Sequence, residues 1–272
     1  MKLFDSHCHL DDRSFRNDLK GIIQRANQNG IAMMISVGID AATSRRAVEI
    51  ASENKGVFAS VGIHPHRAST CNRQTLNQLS KLANNAYVKA WGEIGLDFNR
   101  MYSPQSDQEK WFVEQLKVAD ELKLPIILHE RDSQGRLLEL LNANTNPDRR
   151  GTVHCFSGNN IELRSYLDLG YCIGITGILT MHKRGVNLRK LVRRIPLDRM
   201  LIETDAPYLT PTPQKNKTRR NEPAFVKSVL VKLAQILDLE PVILAEKTTA
   251  NAKRLFNIDV LVKSQNSQFS TR

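Results

Sequence analysis

Histidines and carboxylates stand at the ends of several short apolar runs in this sequence, in an arrangement that its composition does not require. The candidates are His7, His9, Glu93, His129, His154 and Asp205. Imidazole and carboxylate donors together are typical of sites for Zn²⁺, Mn²⁺ or Mg²⁺. His7 and His9 are two residues apart on a predicted strand, so they share one face while Cys8 points the other way. The pattern therefore predicts a metal site.

The chemistry of such a site follows from its charges. A carboxylate such as Glu93 can bridge two cations, and two cations together neutralise a phosphate under attack and acidify a water molecule. Asp205 is the candidate for ligand and general base together. His64, in the string GIHPH at 62–66, is expected to contact the scissile phosphate or orient the attacking water. The predicted catalytic residues are therefore Asp205, Glu93 and His64.

The elements that must position these residues are eight short runs rich in β-branched residues, separated by stretches with helical spacing. The predicted strands are 2–6, 31–37, 57–61, 87–93, 125–129, 151–155, 171–175 and 200–204. Strands this apolar are typical of a parallel sheet covered by helices. Eight strand–helix units in about 250 residues match the (β/α)₈ TIM barrel, whose strand ends converge on the catalytic face. An open doubly wound sheet is disfavoured, because no glycine-rich phosphate loop follows the first strand.

A long irregular segment, 205–221, follows the eighth strand and precedes two predicted C-terminal helices, 222–237 and 241–256. The sequence contains no evident repeat or linker. We therefore predict a single domain over residues 1–257 and a polar tail over 258–272.

The 272 residues include 39 Lys and Arg against 28 Asp and Glu, a net charge of +11. Residues 183–232 alone hold 13 basic and four acidic residues, so the positive charge is regional. A concentrated positive field suits a polyphosphate ligand, although basic helix faces are often only solvated. Four cysteines without a CxxC pair favour a reducing compartment. With no apolar leader or membrane-length run, the sequence predicts a cytoplasmic protein that does not bind membranes.

Seven strings in order resemble the TatD family of metal-dependent deoxyribonucleases: FDSHCHL at 4–10, GIHPH at 62–66, GEIGLD at 92–97, HERD at 129–132, HCFSG at 154–158, ETDAPYL at 203–209 and RNEP at 220–223. The resemblance implies an amidohydrolase-like TIM barrel that hydrolyses DNA phosphodiester bonds as a 3′→5′ exonuclease. It places the family's metal ligands on the same six residues chosen above. It also implies that Arg220 and Asn221 close the loop after the eighth strand over the site.

The resemblance leads to further expectations about ligands and partners. Two divalent ions per chain are expected, with Mg²⁺, Mn²⁺ and Zn²⁺ all open. Arg220 would bind a phosphate, and Arg131 is a second candidate for that role. The expected substrate is DNA, with RNA left open and single strands or strand ends preferred, and no protein partner is evident.

Two other functions fit parts of the sequence. A barrel of this class could hydrolyse a C–N or ester bond of a small molecule, but a lysine that can be carbamylated is then expected on the fourth strand, where this chain has Glu93. A non-catalytic nucleic-acid-binding protein would have no use for six convergent metal donors.

Overall fold

A computed structural model describes residues 1–258, in which eight strands form one parallel sheet in chain order. The strands are β1 Leu3–Cys8, β2 Ile31–Val37, β3 Val57–Val61, β4 Val88–Asp97, β5 Ile126–Arg131, β6 Gly151–Val153, β7 Cys172–Ile175 and β8 Met200–Ile202. A bridge between Cys8 and Ala206 joins the two edges, so the sheet closes on itself. The predicted (β/α)₈ barrel is confirmed.

Nine α-helices accompany the strands within residues 1–258. They are α1 Leu19–Gln28, α2 Ala41–Glu53, α3 Arg73–Ala83, α4 Gln105–Glu121, α5 Arg136–Ala143, α6 Asn160–Asp168, α7 Val186–Leu191, α8 Val226–Leu237 and α9 Pro241–Leu255. Several begin at side-chain caps, because Asp40, Asn72 and Asn159 accept hydrogen bonds from the first free backbone amides of their helices. None of the described helices is both long and apolar enough to cross a membrane.

The barrel interior has its own apolar core, separate from the layer between strands and helices. Side chains of several strands, among them Phe4, Ile127 and Leu201, pack there against the end of α9. The ring of Phe4 lies 5.9 Å from that of Phe256, which follows α9. The α9 helix therefore closes the amino end of the barrel, and the polar residues collect at the opposite, carboxyl end, as the fold requires.

Five strands end at residues other than the predicted ones, β1, β4, β5, β6 and β8, and the largest difference, in β4, affects the site. Glu93 was expected to end the fourth strand, but β4 continues to Asp97 and pairs with β5 at Gly95, Leu96 and Asp97. The pairing register shifts between Trp91 and Ile94, so Glu93 lies at an irregularity inside the strand. Such irregularities redirect a side chain beside an active site, and this one places Glu93 in the donor cluster described below.

The segment after β8 is irregular, as predicted, with one short 3₁₀ helix at Gln214–Asn216. The two C-terminal helices are also as predicted, except that a 3₁₀ turn at Pro223–Phe225 precedes α8. Of the predicted polar tail, only Ile258 lies within the described residues.

Candidate metal centre

The six predicted ligands meet at the carboxyl end of the barrel. Their donor atoms form overlapping groups of three, in which all atoms lie within 4.8 Å of one another. The groups are His7–His154–Asp205, His7–His9–Glu93 and His64–Glu93–His129. Because His7 and Glu93 each belong to two groups, the three groups form one continuous cluster.

His7 lies at the centre of this cluster and is fully buried. Its Nε2 atom is 3.3 Å from Nε2 of His9, 3.5 Å from Oε2 of Glu93 and 3.8 Å from Oδ1 of Asp205. One ring nitrogen carries either one proton or one lone pair, so it cannot satisfy three such neighbours by hydrogen bonds. Donors that converge in this way fit a divalent cation, which accepts several lone pairs at once.

The outer nitrogens of two rings fix which nitrogen faces the cluster. Nδ1 of His9 donates to the carbonyl of Val37 at 3.1 Å, which leaves the Nε2 lone pair directed inward. Nδ1 of His154 lies 2.8 Å from Oε1 of Glu203, although the angle between them is unfavourable for a hydrogen bond. Its Nε2 lies 3.8 Å from Oδ1 of Asp205. A carboxylate or carbonyl behind a ligating imidazole is a common arrangement in metal sites. Glu203 therefore orients His154.

His129 lies between two carboxylates. Its Nδ1 is 2.6 Å from Oε1 of Glu93, and its Nε2 is 3.2 Å from Oδ2 of Asp97. Burial alone would lower the pKa of His129, but these two carboxylates raise it to about 10. The ring therefore holds a proton on each nitrogen when no metal is bound, and a cation at Nδ1 would have to displace one of them.

His64 presents the opposite chemistry to the same cluster. Its Nδ1 accepts a hydrogen bond from the backbone amide of His66 at 3.1 Å, so in the neutral ring Nε2 carries the proton. Burial lowers the pKa of His64 to about 4, which keeps the ring neutral. Nε2 lies 3.5 Å from Oε1 of Glu93. His64 therefore faces the cluster as a hydrogen-bond donor rather than as a metal ligand.

Asp97 is a supporting residue that the sequence analysis missed. It is fully buried, and its Oδ2 accepts hydrogen bonds from His66 at 2.7 Å and His129 at 3.2 Å. Burial would raise the pKa of Asp97, but the hydrogen bonds from these rings hold it far below its usual range. Asp97 shares a strand face with Glu93, four residues earlier. A longer β4 in the prediction would have identified it.

The end of β8 is held in place from two sides. Asp5 on β1 accepts hydrogen bonds from the amide and hydroxyl of Thr204, at 2.8 and 2.6 Å. Asn221, also fully buried, donates to the carbonyls of Thr204 and Tyr208 at 2.9 and 2.6 Å. Asp205 is thus fixed by neighbours on both sides, and Asn221 supports the loop from beneath.

The two arginines expected to bind phosphate lie in different surroundings. Arg220 donates to Asp18 at 2.7 Å and to the carbonyl of Ser14 at 2.7 Å, and its guanidinium lies over the ring of Phe15. Arg131 is half-buried at the end of β5, and its side chain has no ion pair or hydrogen bond within residues 1–258. A phosphate contact by either residue stays a prediction.

The basic region forms one side of the mouth of the barrel. The loops after β7 and β8 contact each other where Thr212 donates to Thr180 at 2.9 Å. Arg189 binds the carbonyls of Leu179, Met181 and His182, so its charge is used within the loop. Several other basic side chains of these loops are exposed to solvent: Lys183, Arg184, Lys215, Lys217 and Arg219. Here we call these five residues the basic rim.

Known proteins with similar sequences are nucleases. A family model described as TatD related DNase matches residues 4–257. A protein of Cronobacter sakazakii named 3′-5′ ssDNA/RNA exonuclease TatD is 40% identical over 256 residues, which cover 93% of this chain and 97% of the relative. A protein of the same name from Yersinia pseudotuberculosis is 39% identical over 259 residues, covering 94% and 100% of the two chains.

A solved structure gives the same result at the level of the fold. The crystal structure of a TatD homolog from Escherichia coli superposes with a TM-score of 0.85 at 30% sequence identity. The alignment covers 94% of this chain and 98% of the homolog.

Proposed function

Because the chain belongs to the TatD family of DNases, we propose that it is a metal-dependent nuclease that removes nucleotides from the 3′ ends of single-stranded DNA and RNA. The relatives named above carry this activity in their names. The observation that supports the proposal most directly is the convergence of four imidazoles and two carboxylates from distant parts of the chain on one cluster. The exposed basic rim beside that cluster suits a polyanionic substrate.

Two divalent ions are proposed to bind in this cluster, held by His7, His9, Glu93, His129, His154 and Asp205. Glu93 belongs to two donor groups, so its carboxylate would serve both ions. Imidazole nitrogens suit Zn²⁺ and Mn²⁺ better than Mg²⁺, which prefers oxygen ligands. The donor set therefore favours Zn²⁺ or Mn²⁺.

The reaction divides between the ions and the side chains around them. Cations in the cluster would neutralise charge on the attacked phosphate and lower the pKa of a water molecule. Asp205 is only partly buried, with 14% of its side chain exposed, and its carboxylate would take the proton of the attacking water. His64 offers its Nε2–H, which can donate to a phosphate oxygen.

A direct test uses end-labelled single-stranded DNA with Mn²⁺, Zn²⁺ or Mg²⁺, each compared with EDTA. We expect shortening from the 3′ end only when metal is present, and a loss of several orders of magnitude in Glu93→Gln. Glu246→Gln changes an exposed glutamate on α9, at the opposite end of the barrel, and is expected to leave the activity unchanged.

A second measurement does not depend on activity. Metal at 100 times its dissociation constant stabilises the folded state by about 3 kcal/mol per site, a rise of roughly 5 °C or more in Tm. Glu93→Gln should reduce this rise, and Glu246→Gln should retain it. Cleavage that persists in EDTA, or full activity in Glu93→Gln, would contradict the proposal.

A further inference from the structure

We propose that Tyr102 and Tyr208 are base-stacking platforms on opposite sides of the metal centre, which hold the nucleotides on either side of the phosphate that is cut. The inference rests on the proposed function, since it names how the same site grips its substrate. Three aromatic side chains are strongly exposed in residues 1–258: Tyr87, Tyr102 and Tyr208. Tyr102 is 65% exposed and Tyr208 is 54% exposed.

The two tyrosines lie across the barrel from each other. Tyr102 is in the loop that follows β4, and Tyr208 is in the loop that follows β8. These strands are four positions apart in a closed ring of eight, so the loops rise from opposite sides of the mouth. A nucleic-acid strand that runs from one tyrosine ring to the other passes over the donor cluster between them.

Each ring contacts a histidine of the site. The ring of Tyr102 lies 4.8 Å from that of His66 in an edge-to-face arrangement, and His66 is bonded through Asp97 to His129. The ring of Tyr208 lies 5.9 Å from that of His9. Tyr208 therefore contacts a proposed ligand directly, and on the other side only His66 separates Tyr102 from the proposed ligand His129.

The backbone beneath each ring is fixed. Next to Tyr102, the buried Ser103 accepts hydrogen bonds from the amide of Ser69 at 3.0 Å and from the side chain of Gln108 at 2.8 Å. A single exposed aromatic residue is common on protein surfaces. Two on pinned backbones at one mouth, however, lose little conformational entropy when a flat ligand stacks on them.

Tyr208 is held even more closely. Its amide donates to the carbonyl of Asp205 at 2.8 Å, its own carbonyl accepts from Asn221, and its hydroxyl donates to Asp12 at 3.2 Å. Burial, together with Asp12, raises the pKa of Tyr208 to about 12, so the ring stays uncharged beside a polyanion. Stacking on an aromatic face tolerates any base, because every base has a flat π-face.

The test compares how tightly the unaltered protein and its tyrosine variants bind a fluorescent single-stranded oligonucleotide. Binding is measured by fluorescence anisotropy in EDTA, so that no cleavage occurs. Tyr102→Ala and Tyr208→Ala should each raise Kd about fivefold or more, and Tyr102→Phe and Tyr208→Phe should restore most of the affinity because the ring is kept. Tyr87→Ala removes an exposed tyrosine before β4, at the amino end of the barrel, and should leave Kd unchanged.

A second set of oligonucleotides lacks the base at the last 3′ position, at the position before it, or at both. Loss of a base should weaken binding to the unaltered protein. It should weaken binding much less in the alanine variant, Tyr102→Ala or Tyr208→Ala, that lacks the tyrosine on which that base stacks. Equal losses in both proteins, or an unchanged Kd in both alanine variants, would overturn the inference. An unaltered protein that binds as expected but cleaves nothing with any metal would refute the proposed function and leave the stacking intact.

Discussion

His64 and His129 face the same carboxylate, Glu93, but their ring protons are arranged differently. His64 receives a backbone hydrogen bond on Nδ1, whereas His129 gives its Nε2 proton to Asp97. Only His129 can therefore turn a lone pair toward a cation at Glu93 without losing its supporting bond.

This difference predicts separate effects for two alanine variants. We expect His64→Ala to bind the full complement of metal while kcat falls about 100-fold or more, because it loses a donor but no ligand. His129→Ala should lose metal as well as activity. Metal content of the purified proteins, measured by mass spectrometry and compared with kcat, separates the two. Loss of one metal equivalent in His64→Ala would show instead that His64 is a ligand.

All six proposed ligands could be identified from the sequence, because residue type and position relative to a strand were sufficient. The residues that support His129 could not. Asp97 was missed because the predicted fourth strand ended at Glu93, and its hydrogen bond with His66 joins side chains 31 positions apart. Arg220 was likewise assigned to phosphate by its charge, whereas its partner Asp18 lies 202 positions away.

At the scale of elements, β4 and β5 carry Glu93 and His129 on neighbouring strands that approach closely beyond the irregularity. Gly95 pairs with His129 in the sheet and has a positive φ of 146°. A Cβ atom at Gly95 would lie far inside the contact distance of the His129 carbonyl oxygen. Glycine at this position therefore allows the two donors to lie side by side.

The Gly95→Ala variant tests this constraint. We expect a loss of about 3 kcal/mol or more in the free energy of unfolding, from the clash and the unfavourable φ together. Gly21→Ala is the matched control within α1, where the nearest atom is the flexible end of Arg25, and it should stabilise the protein by about 0.5–1 kcal/mol. Urea unfolding curves of both variants give the comparison, and a Gly95→Ala protein as stable as the unaltered one would refute the argument.

The elements differed in how well their sequences predicted them. The predicted bounds of β2 and β3 agree with the structure, since their apolar runs end sharply. The end of β4 was missed because Gly92 and Gly95 resemble a turn in the sequence, whereas in the barrel they let the strand continue past an irregularity. Tertiary packing decided what the local pattern left ambiguous.

At the scale of the whole molecule, positive charge is concentrated beside the site. The basic rim lies on the loops after β7 and β8, which contact each other. The composition of the sequence predicted this concentration of positive charge. It could not show that Arg189 binds carbonyls of its own loop, whereas the basic rim is exposed to solvent.

The rim should make nucleic-acid binding dependent on salt. In a plot of log Kd against log salt concentration, replacing Lys183 and Arg184 together by alanine should reduce the slope by about 0.7 for each phosphate that the protein no longer neutralises. Lys247→Ala removes an exposed charge on α9 at the far end of the barrel and should leave the slope unchanged. Equal slopes for all three proteins would exclude the rim from the binding surface.

The junction between β1 and β8 also bears on how the enzyme is made. His7 and Asp205 lie side by side because the ends of β1 and β8 are joined: the amide of Asp205 donates to the carbonyl of His7 at 2.9 Å, and Asp5 binds Thr204 across 199 positions of the chain. A ribosome must therefore synthesise β8 before the donor set can exist, and α9, which closes the barrel floor, comes later still. Nascent chains with only the first seven strands lack Asp205, so they cannot complete the donor cluster during translation.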